Sequence, residues 1–169
     1  MNFEKILPYH SKRREFAKKI AKKLHITRKN HTDSEYEIWI QKNEPSKEEL
    51  EKQRNHKFGI SPKISILVPL FRTPENFFKD LVNSLKNQTY SNWELCLADG
   101  TPEGSIPFIK KYLSDKRIKY KYIGENKGIS GNTNEALTLV TGEYIGLLDH
   151  DDFLPVFSLY EIVKIINQN

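Results

Sequence analysis

Cysteine is nearly absent from this sequence, because Cys96 is the single cysteine among 169 residues. One cysteine excludes an intramolecular disulfide framework and is compatible with a reducing compartment. Cys96 lies inside an apolar run, where the simplest interpretation is a small buried hydrophobic side chain in a strand. The cysteine content therefore fits a reducing compartment and favours a thiol that packs rather than reacts.

Long hydrophobic runs are also missing. No apolar run approaches the roughly 18 residues that can span a bilayer, and Met1–Lys29 lacks the apolar core of a secretory signal. Hydrophobic residues make up 37% of the chain and charged residues 29%, which is typical of a soluble domain and argues against disorder. We therefore expect a cytoplasmic location without export.

Several catalytic signatures are absent as well. The sequence contains no H-E-x-x-H motif, no zinc-type spacing of Cys and His, and no G-x-S-x-G nucleophile elbow. Its one glycine-rich stretch, Asn126–Asn134, matches neither G-x-G-x-x-G nor the P-loop pattern. These absences argue against zinc peptidases, α/β-hydrolases and P-loop NTPases.

Positive charge is concentrated at one end of the chain. Residues 1–30 contain ten Lys or Arg and two Glu, a local balance of +8, whereas the whole chain is +5. The remaining residues are therefore slightly acidic, which argues against nucleic-acid binding by the main domain. Phe16, Ile20 and Leu24 have helical spacing among the lysines, which predicts peripheral contact of residues 1–30 with the inner face of an anionic membrane. Docking of this apolar stripe on the protein itself is the alternative.

The hydrophobic pattern predicts two regions, a helical N-terminal extension over residues 1–60 and an α/β domain over residues 61–169. In the extension, Ser46 and Glu49 form a capping box that begins a helix running to about Phe58. In the domain, apolar strands alternate with helices, which implies parallel pairing through right-handed crossovers. The fold class is therefore a parallel-sheet, Rossmann-like α/β half, with both faces of the sheet covered. The predicted strands are Ile64–Val68, Trp93–Ala98, Ile118–Ile123 and Tyr144–Leu148. The predicted helices begin at Pro74 with Thr73 as its cap, at residue 105, at Ile129 (ending near Val140) and at Pro155.

Polar and acidic residues follow these strands at the edge where such sheets bind ligands. Asp149-His150-Asp151-Asp152 comes directly after the fourth strand, and three carboxylates this close are tolerable when a divalent cation lies among them. Hard oxygen ligands favour Mg²⁺ or Mn²⁺. A solvated loop whose aspartates cap the helix at Pro155 is the alternative. His150 is interpreted as a residue that packs, or that supports the ligands from behind, rather than as a ligand itself.

Two further segments at this edge have both a functional and a structural interpretation. Asn126–Asn134 places glycines and a helix N-terminus where backbone can approach a phosphate, although Gly and Asn also simply form turns. Asp99 follows the second strand, where its carboxylate can accept a ribose hydroxyl or a base N–H. A turn formed by Asp99-Gly100 is the alternative.

Taken in order, these segments resemble the N-terminal, nucleotide-sugar-binding part of the family 2 glycosyltransferases, which have the GT-A fold. The resemblance covers about two thirds of the chain and is specific as a combination. The matching segments are Ile64–Pro69, Thr73-Pro74, Asn87–Tyr90, Trp93–Leu95 leading to Asp99, Asn126–Asn134 and Leu148–Asp152.

The resemblance implies an inverting hexosyl transferase that uses a nucleotide-sugar donor, commonly a UDP-sugar, and a saccharide or lipid-linked acceptor in bacterial polysaccharide synthesis. By position, Asp99 corresponds to the residue that reads uracil, and Asp149 and Asp151 to a D-x-D pair near the ribose and on the metal. The other residues implied to bind the nucleotide are Pro69, Phe71, Asn126, Gly128 and Asn134.

The sequence departs from the family at three points. Arg72 stands where the family often has Asn, and Asn132-Thr133 stands where many members have Ala-Arg before the last Asn. The general base of the family lies downstream of the D-x-D pair, so we expect it beyond Asn169 and expect these 169 residues alone to be inactive. A nucleotidyltransferase and a non-catalytic interaction module are the alternative functions. The first usually requires a glycine-rich basic segment after the first strand, and Phe71–Pro74 is not one.

Overall fold

The computed structural model describes residues 31–168, which form two compact units. The first unit ends at Glu44 and the second begins at Pro45. The predicted helical stripe and membrane contact of residues 1–30 lie outside the described residues. The predicted boundary between the N-terminal extension and the α/β domain at residue 60 stays a prediction. The division into compact units depends on contacts within the fold and does not test where the α/β domain begins.

The described part of the first unit is helix α1 (His31–Asn43). The rings of Tyr36 and Trp39 stack along it, with centroids 6.2 Å apart. Asn43 ends the helix, and its side-chain amide donates to the carbonyl of Trp39. Within residues 31–168 no helix is both long enough and apolar enough to cross a bilayer.

The second unit begins with helix α2 (Lys47–Asn55), whose predicted capping box is confirmed. Ser46 Oγ accepts the Glu49 N–H at 3.2 Å, and the Glu49 carboxylate accepts the Ser46 N–H at 2.6 Å. The helix ends three residues earlier than predicted because His56 adopts an extended conformation. Gln53 attaches α2 to the domain, since its buried carbonyl oxygen accepts the Thr89 hydroxyl at 2.8 Å.

A four-stranded parallel sheet forms the centre of the second unit, which confirms the predicted fold class. The strands are β1 (Ile64–Leu70), β2 (Trp93–Asp99), β3 (Ile118–Tyr122) and β4 (Tyr144–Leu147). Their order in the sheet is β3-β2-β1-β4. The chain therefore builds outward from β1 to β3 and then returns to pair β4 with the opposite side of β1. The helices are α3 (Glu75–Lys86), a 3₁₀ helix (Pro107–Tyr112), α4 (Gly128–Leu137) and α5 (Ser158–Ile166).

The sheet has a hydrophobic core on each face. On one face, alternate residues of β1, such as Ile66 and Val68, pack with α3 and α5. On the other face, Leu67 and Cys96 pack with Ala136 of α4. Cys96 is fully buried, as its sequence environment predicted, and burial together with the charge of nearby Glu94 raises the pKa of its thiol to about 12.

The structure corrects four predictions about elements. The sheet is not covered on both faces at β4, because Ile145 is 49% exposed and Leu147 is 72% exposed. Thr73 does not cap α3: the chain stays extended through Pro74, and the buried Thr73 hydroxyl has no hydrogen-bond partner among the described residues. The last helix begins at Ser158 rather than Pro155, since Pro155 only opens a turn, and α4 ends at Leu137 rather than near Val140.

Candidate functional site

A cleft of about 310 Å³ lies where the carboxyl ends of β1 and β4 meet the amino end of α4. The chain adds β2 and β3 on one side of β1 and then adds β4 on the other side. Such topological switch points are where parallel α/β sheets bind ligands. Six of the eight residues predicted to bind nucleotide or metal line this cleft. The lining residues are Pro69, Leu70, Phe71, Asn126, Gly128, Ile129, Asn132, Asp149, His150 and Asp151.

The loop before α4 is shaped by two asparagines. Asn126 Oδ1 accepts the Gly128 N–H at 3.0 Å and the Asn132 side-chain amide at 3.2 Å. Asn132 is 2% exposed, and its Oδ1 accepts the Lys127 N–H at 3.0 Å. Gly128 has φ +75°, a conformation that glycine adopts without strain. These contacts hold the first amide groups of α4 at the wall of the cleft, where a helix N-terminus favours an anion.

Asn132 also joins this loop to the segment after β2, a role that the sequence did not indicate. A Cβ added at Gly100 would lie 2.7 Å from the Asn132 side-chain nitrogen and 2.9 Å from the Glu125 carbonyl oxygen. Glycine is therefore required at position 100 so that the two loops can touch. The one signal at this position was the departure from the family, in which many members have Ala-Arg where this chain has Asn132-Thr133. That departure indicated that the family residues are missing, and it did not indicate a structural role for Asn132.

Asp99 lies outside the lining of the cleft and is fully buried. Its Oδ1 accepts the Thr101 N–H at 3.0 Å, and its Oδ2 accepts the Ile106 N–H at 3.1 Å and the Tyr120 hydroxyl at 2.7 Å. Burial, followed by the hydrogen bond to Asp99 and its charge, raises the pKa of Tyr120 well above its ordinary value. The geometry is that of the turn-forming alternative, and the assignment of Asp99 to uracil stays a prediction.

Asn134 is the second predicted residue that the structure does not bring to the cleft. It is exposed on α4 and is absent from the lining, whereas the buried Asn132 two residues earlier faces the cleft. Helical periodicity places residues two positions apart on different sides of a helix, so one of the two had to point away. Its role in nucleotide binding stays a prediction.

The turn after β1 contains an unusual backbone conformation. Arg72 has φ +47°, and it is the non-glycine residue with positive φ among the described residues. Its N–H donates to Thr101 Oγ1 at 2.9 Å, and its guanidinium pairs with Glu103 and lies 5.1 Å from the centre of the Phe71 ring. Arg72 therefore orients Phe71 beside the cleft and joins the turn after β1 to the segment after β2.

The acidic segment follows β4 with its carboxylates unengaged. The Leu148 N–H donates to the Leu67 carbonyl at 3.1 Å, so the backbone entering the segment is fixed to the sheet. Asp149 and Asp151 are exposed, and within residues 31–168 neither side chain makes a hydrogen bond or an ion pair. His150, half-buried, also lines the cleft. This position is compatible with a residue that packs beside the ligands, and its role stays a prediction.

The charge of the cleft is therefore negative. No Lys or Arg is among its lining residues, and two carboxylates are. No group of three His, Cys, Asp or Glu side chains in the described part of the chain is arranged to hold a metal ion. A divalent cation at Asp149 and Asp151 would thus take its other ligands from water or from a bound phosphate, as Mg²⁺ commonly does.

Comparison with known proteins gives this site a family context. The model of the family described as "Glycosyl transferase family 2" matches residues 65–169. An Escherichia coli relative, "UDP-Glc:alpha-D-GlcNAc-diphosphoundecaprenol beta-1,3-glucosyltransferase WfgD", is 35% identical over 89 residues, which are 53% of this chain and 35% of the relative. The chain spans between 12% and 44% of the length of three other curated relatives that it matches.

Two solved structures share the fold. "S. aureus TarS 1-349 in complex with UDP" matches with a TM-score of 0.57 and 24% identity, over 63% of this chain and 32% of that one. "Mannosyltransferase PcManGT from Pyrobaculum calidifontis in complex with GDP-Man and Mn2+" matches with a TM-score of 0.56 and 18% identity, over 69% of this chain and 37% of that one. At these identities the likeness concerns the fold.

Proposed function

Since the chain belongs to glycosyl transferase family 2, we propose that it is the donor-binding part of an inverting glycosyltransferase. The donor is a nucleotide-sugar, in our proposal a UDP-sugar held with Mg²⁺ or Mn²⁺. The complete enzyme transfers a hexosyl group to a saccharide or lipid-linked acceptor in bacterial polysaccharide synthesis, at the inner face of the cell membrane. Relatives with such activities support the proposal, because the E. coli relative is named for a UDP-Glc donor and a lipid-diphosphate acceptor.

The observation that carries the proposal is the composition of the cleft at the switch point. Phe71 and Ile129 supply apolar surface against which a flat nucleobase can pack. The amino end of α4 supplies amide groups suited to a phosphate. Asp149 and Asp151 supply two unengaged carboxylates on the same cleft. Base, diphosphate and metal thus each have a matching surface within one cavity.

The donor set of the cleft fits a hard divalent cation. Carboxylates without protein partners repel a diphosphate when no cation is present, and they share the cation with it when one is bound. When bound, the cation neutralises the charge that develops on the departing nucleoside diphosphate. Asp151 and Asp149 would hold it, and Asp149 would also lie near the ribose. The solved structure of the Pyrobaculum mannosyltransferase, a complex with GDP-Man and Mn²⁺, supports this choice of cofactor.

The other residues of the cleft position the donor. Pro69 and Phe71 would contact the base, and the Asn126 loop would present the N–H groups of α4 to the diphosphate. Asp99 would reach a uracil ring only if the segment from Gly100 to Ile106 moved, because its carboxylate is fully buried behind that segment. We assign no general base among the described residues.

Calorimetric titration of UDP tests the proposal. We expect UDP to bind in Mn²⁺ and to bind roughly tenfold or more weakly in EDTA, the ratio expected for loss of a charged contact. Asp151→Asn should remove this dependence on Mn²⁺. Asp152→Asn is the matched control, since Asp152 is also exposed and lies outside the cleft lining. Equal UDP affinity with and without Mn²⁺ would contradict the metal assignment, and equal behaviour of the two variants would contradict the choice of Asp151.

A further inference from the structure

The amino edge of the sheet, opposite the cleft, contains two adjoining cavities. One measures about 310 Å³ and lies before β1, β2 and β3, and the other measures about 350 Å³ and lies beside the end of α2. Both are lined by Ser91 and Asn92, so they meet over this turn. We call the two cavities together the amino-edge groove.

The lining of the amino-edge groove has an excess of positive charge, although the unit that contains it has none. From Pro45 onward the chain has as many Asp and Glu residues as Lys and Arg residues. The single carboxylate that lines the groove is Glu94. The cationic lining residues are Arg54, Lys57, Lys63, Lys116, Arg117 and Lys119. Positive charge is therefore gathered at this edge, while negative charge is gathered at the cleft.

Glu94 does not neutralise the groove as a whole, because its carboxylate is already engaged. It is 3% exposed and accepts hydrogen bonds from Ser65 Oγ, from the Thr141 N–H and from the Thr141 hydroxyl. Lys119 pairs with it at 2.9 Å and donates its other protons to the Leu139 carbonyl and the Thr141 hydroxyl. Glu94 and Lys119 thus satisfy each other, and Lys63 approaches Glu94 only to 3.9 Å.

Of the remaining cations, Arg54 pairs with Glu51 at 3.9 Å and Lys63 donates to Thr141 Oγ1 at 3.4 Å. The other three have donors available to a ligand. Lys57 and Lys116 are exposed, and within the described residues neither makes an ion pair or a side-chain hydrogen bond. Arg117 is held in place by Asp115, which accepts from its Nε and Nη2, and by Trp93, whose ring centre is 3.9 Å from the guanidinium carbon. A guanidinium has five N–H donors, so donors that Asp115 does not use remain.

We propose that the amino-edge groove binds a ligand that carries neighbouring phosphate groups. The unpaired ammonium groups of Lys57 and Lys116 lie on the two sides of Ser91 and Asn92. A ligand with a single carboxylate could not pair with both of them, whereas a ligand with neighbouring phosphate groups could. An oriented guanidinium and compact ammonium groups are the side chains that recognise phosphate oxygens. The Ser91 hydroxyl lies between them as a further donor. The phosphates come either from a soluble phosphorylated molecule or from the headgroups of an anionic bilayer.

Inorganic tripolyphosphate, titrated at low ionic strength into the full 169-residue chain, is the first probe. EDTA is present throughout, so that cation-assisted binding at the cleft does not contribute. We expect Lys57→Gln/Lys116→Gln to weaken binding about tenfold, since each removes one ion pair with phosphate. The control Lys79→Gln/Lys110→Gln removes two exposed lysines that line neither cavity, and it should change the affinity less than twofold. The basic residues 1–30 are present in every variant and cancel in the comparison.

Vesicles of phosphatidylcholine with phosphatidylglycerol then distinguish the two sources. Vesicle capture that falls with the groove variant and not with the control identifies lipid headgroups as the source. Vesicle capture that is the same in both variants, together with weakened tripolyphosphate binding by the groove variant, identifies a soluble phosphorylated ligand. Equal tripolyphosphate affinity of the groove variant and the control, whether reduced or unchanged, would overturn the proposal.

Discussion

Glu94 at the amino edge of the sheet and the two cleft aspartates at the carboxyl edge differ in how their charges are paired. At the amino edge, Glu94 is buried and accepts hydrogen bonds from Ser65, Thr141 and the Cys96 thiol besides its pairing with Lys119. At the carboxyl edge, Asp149 and Asp151 are exposed and have no partner among the described residues. A buried charge must be fully paired to be tolerated, whereas an exposed unpaired charge costs little in water. Glu94 thus stabilises the fold, as the buried Asp99 does at the carboxyl edge, whereas Asp149 and Asp151 are left free for a ligand.

The difference also appears in how the loops are built. The segments at the carboxyl edge depend on backbone conformations that few residues adopt, at Arg72 and Gly128. The amino edge has no positive φ among the residues that line its two cavities. Strained or special conformations concentrate at sites that bind ligands, because the surrounding fold has to hold them. Substitutions at the two edges should therefore affect stability and binding in different proportions.

The largest expected effect is at Glu94. Glu94→Gln places an amide nitrogen in a pocket built for a carboxylate and leaves Lys119 without its counter-charge. Breaking one partner of a buried ion pair costs on the order of 3 kcal/mol, so the free energy of unfolding should fall by about that amount. Urea denaturation measures it. Asp151→Asn, the comparable change at the other edge, should alter the unfolding free energy by less than about 0.5 kcal/mol. A loss in Asp151→Asn as large as that in Glu94→Gln would remove the contrast between the edges.

Lowering the pH should reduce the free energy of unfolding through protonation of Glu94 at the amino edge. Burial would raise the pKa of Glu94, but the hydrogen bonds from Thr141, Lys119 and Ser65 outweigh it and lower the pKa to about 2, from an ordinary 4.5. Below pH 4.5 the unfolded chain binds a proton that the folded chain does not, so this contribution to stability is present above pH 4.5 and is lost between pH 4.5 and 2.

Unfolding followed from pH 6 to pH 3 checks this sign, with Glu94→Gln showing a shallower loss than the unchanged protein. Glu135 is the control, since ion pairs with Lys121 and Lys127 also lower the pKa of its carboxyl to about 2 but water screens them more. If Glu135→Gln reduces the loss of stability in acid more than Glu94→Gln does, burial does not decide how strongly a lowered pKa contributes to stability.

Much of the fold could be predicted because its signals are local. Strand β1 appears in the sequence as a short, mainly apolar run with three β-branched residues, and the capping box at Ser46 needs only two residues three positions apart. The exposed face of β4 could not be predicted, because an apolar segment has the same sequence whether or not another element covers it. The start of α5 was misplaced because a proline opens turns as readily as helices.

The site divides along the same line. The segments that converge on the cleft follow from the parallel order of the strands, so Phe71, Asn126 and Asp151 could be assigned to it. The environment of Asp99 could not, because its partner Tyr120 comes from another strand, 21 residues away. The network around Glu94 was missed for the same reason: Ser65, Lys119 and Thr141 lie on three other segments, and no spacing along the chain connects them.

An intermediate effect is expected at Asn132, which supports the cleft from within. Asn132→Ala removes the acceptor of the Lys127 N–H and the donor to Asn126, so we expect a loss of about 1–2 kcal/mol in unfolding free energy. UDP affinity in Mn²⁺ should fall as well, because the loop before α4 is no longer fixed. Asn134→Ala, on the exposed side of α4, should leave stability within about 0.5 kcal/mol. If Asn134→Ala weakens UDP and Asn132→Ala does not, the predicted assignment of Asn134 is right and the role given to Asn132 is wrong.

The smallest effect is expected at Arg72, where the carboxyl edge holds its one strained non-glycine backbone among the described residues. A side chain with a Cβ pays roughly 1 kcal/mol in the left-handed region, and Asn tolerates that region better than other residues. The ion pair of Arg72 with Glu103 is exposed on both sides, so it returns only a fraction of this amount. Arg72→Asn should therefore be at least as stable as the unchanged protein. Arg72→Ala should be less stable than Arg72→Asn by about 0.5–1 kcal/mol, because both variants lose the ion pair but only Ala keeps the full strain. Urea denaturation of the three proteins orders them. Should Arg72→Ala equal Arg72→Asn, backbone strain does not limit stability at this turn, and the contact of the guanidinium with Phe71 would be the reason that Arg occupies it.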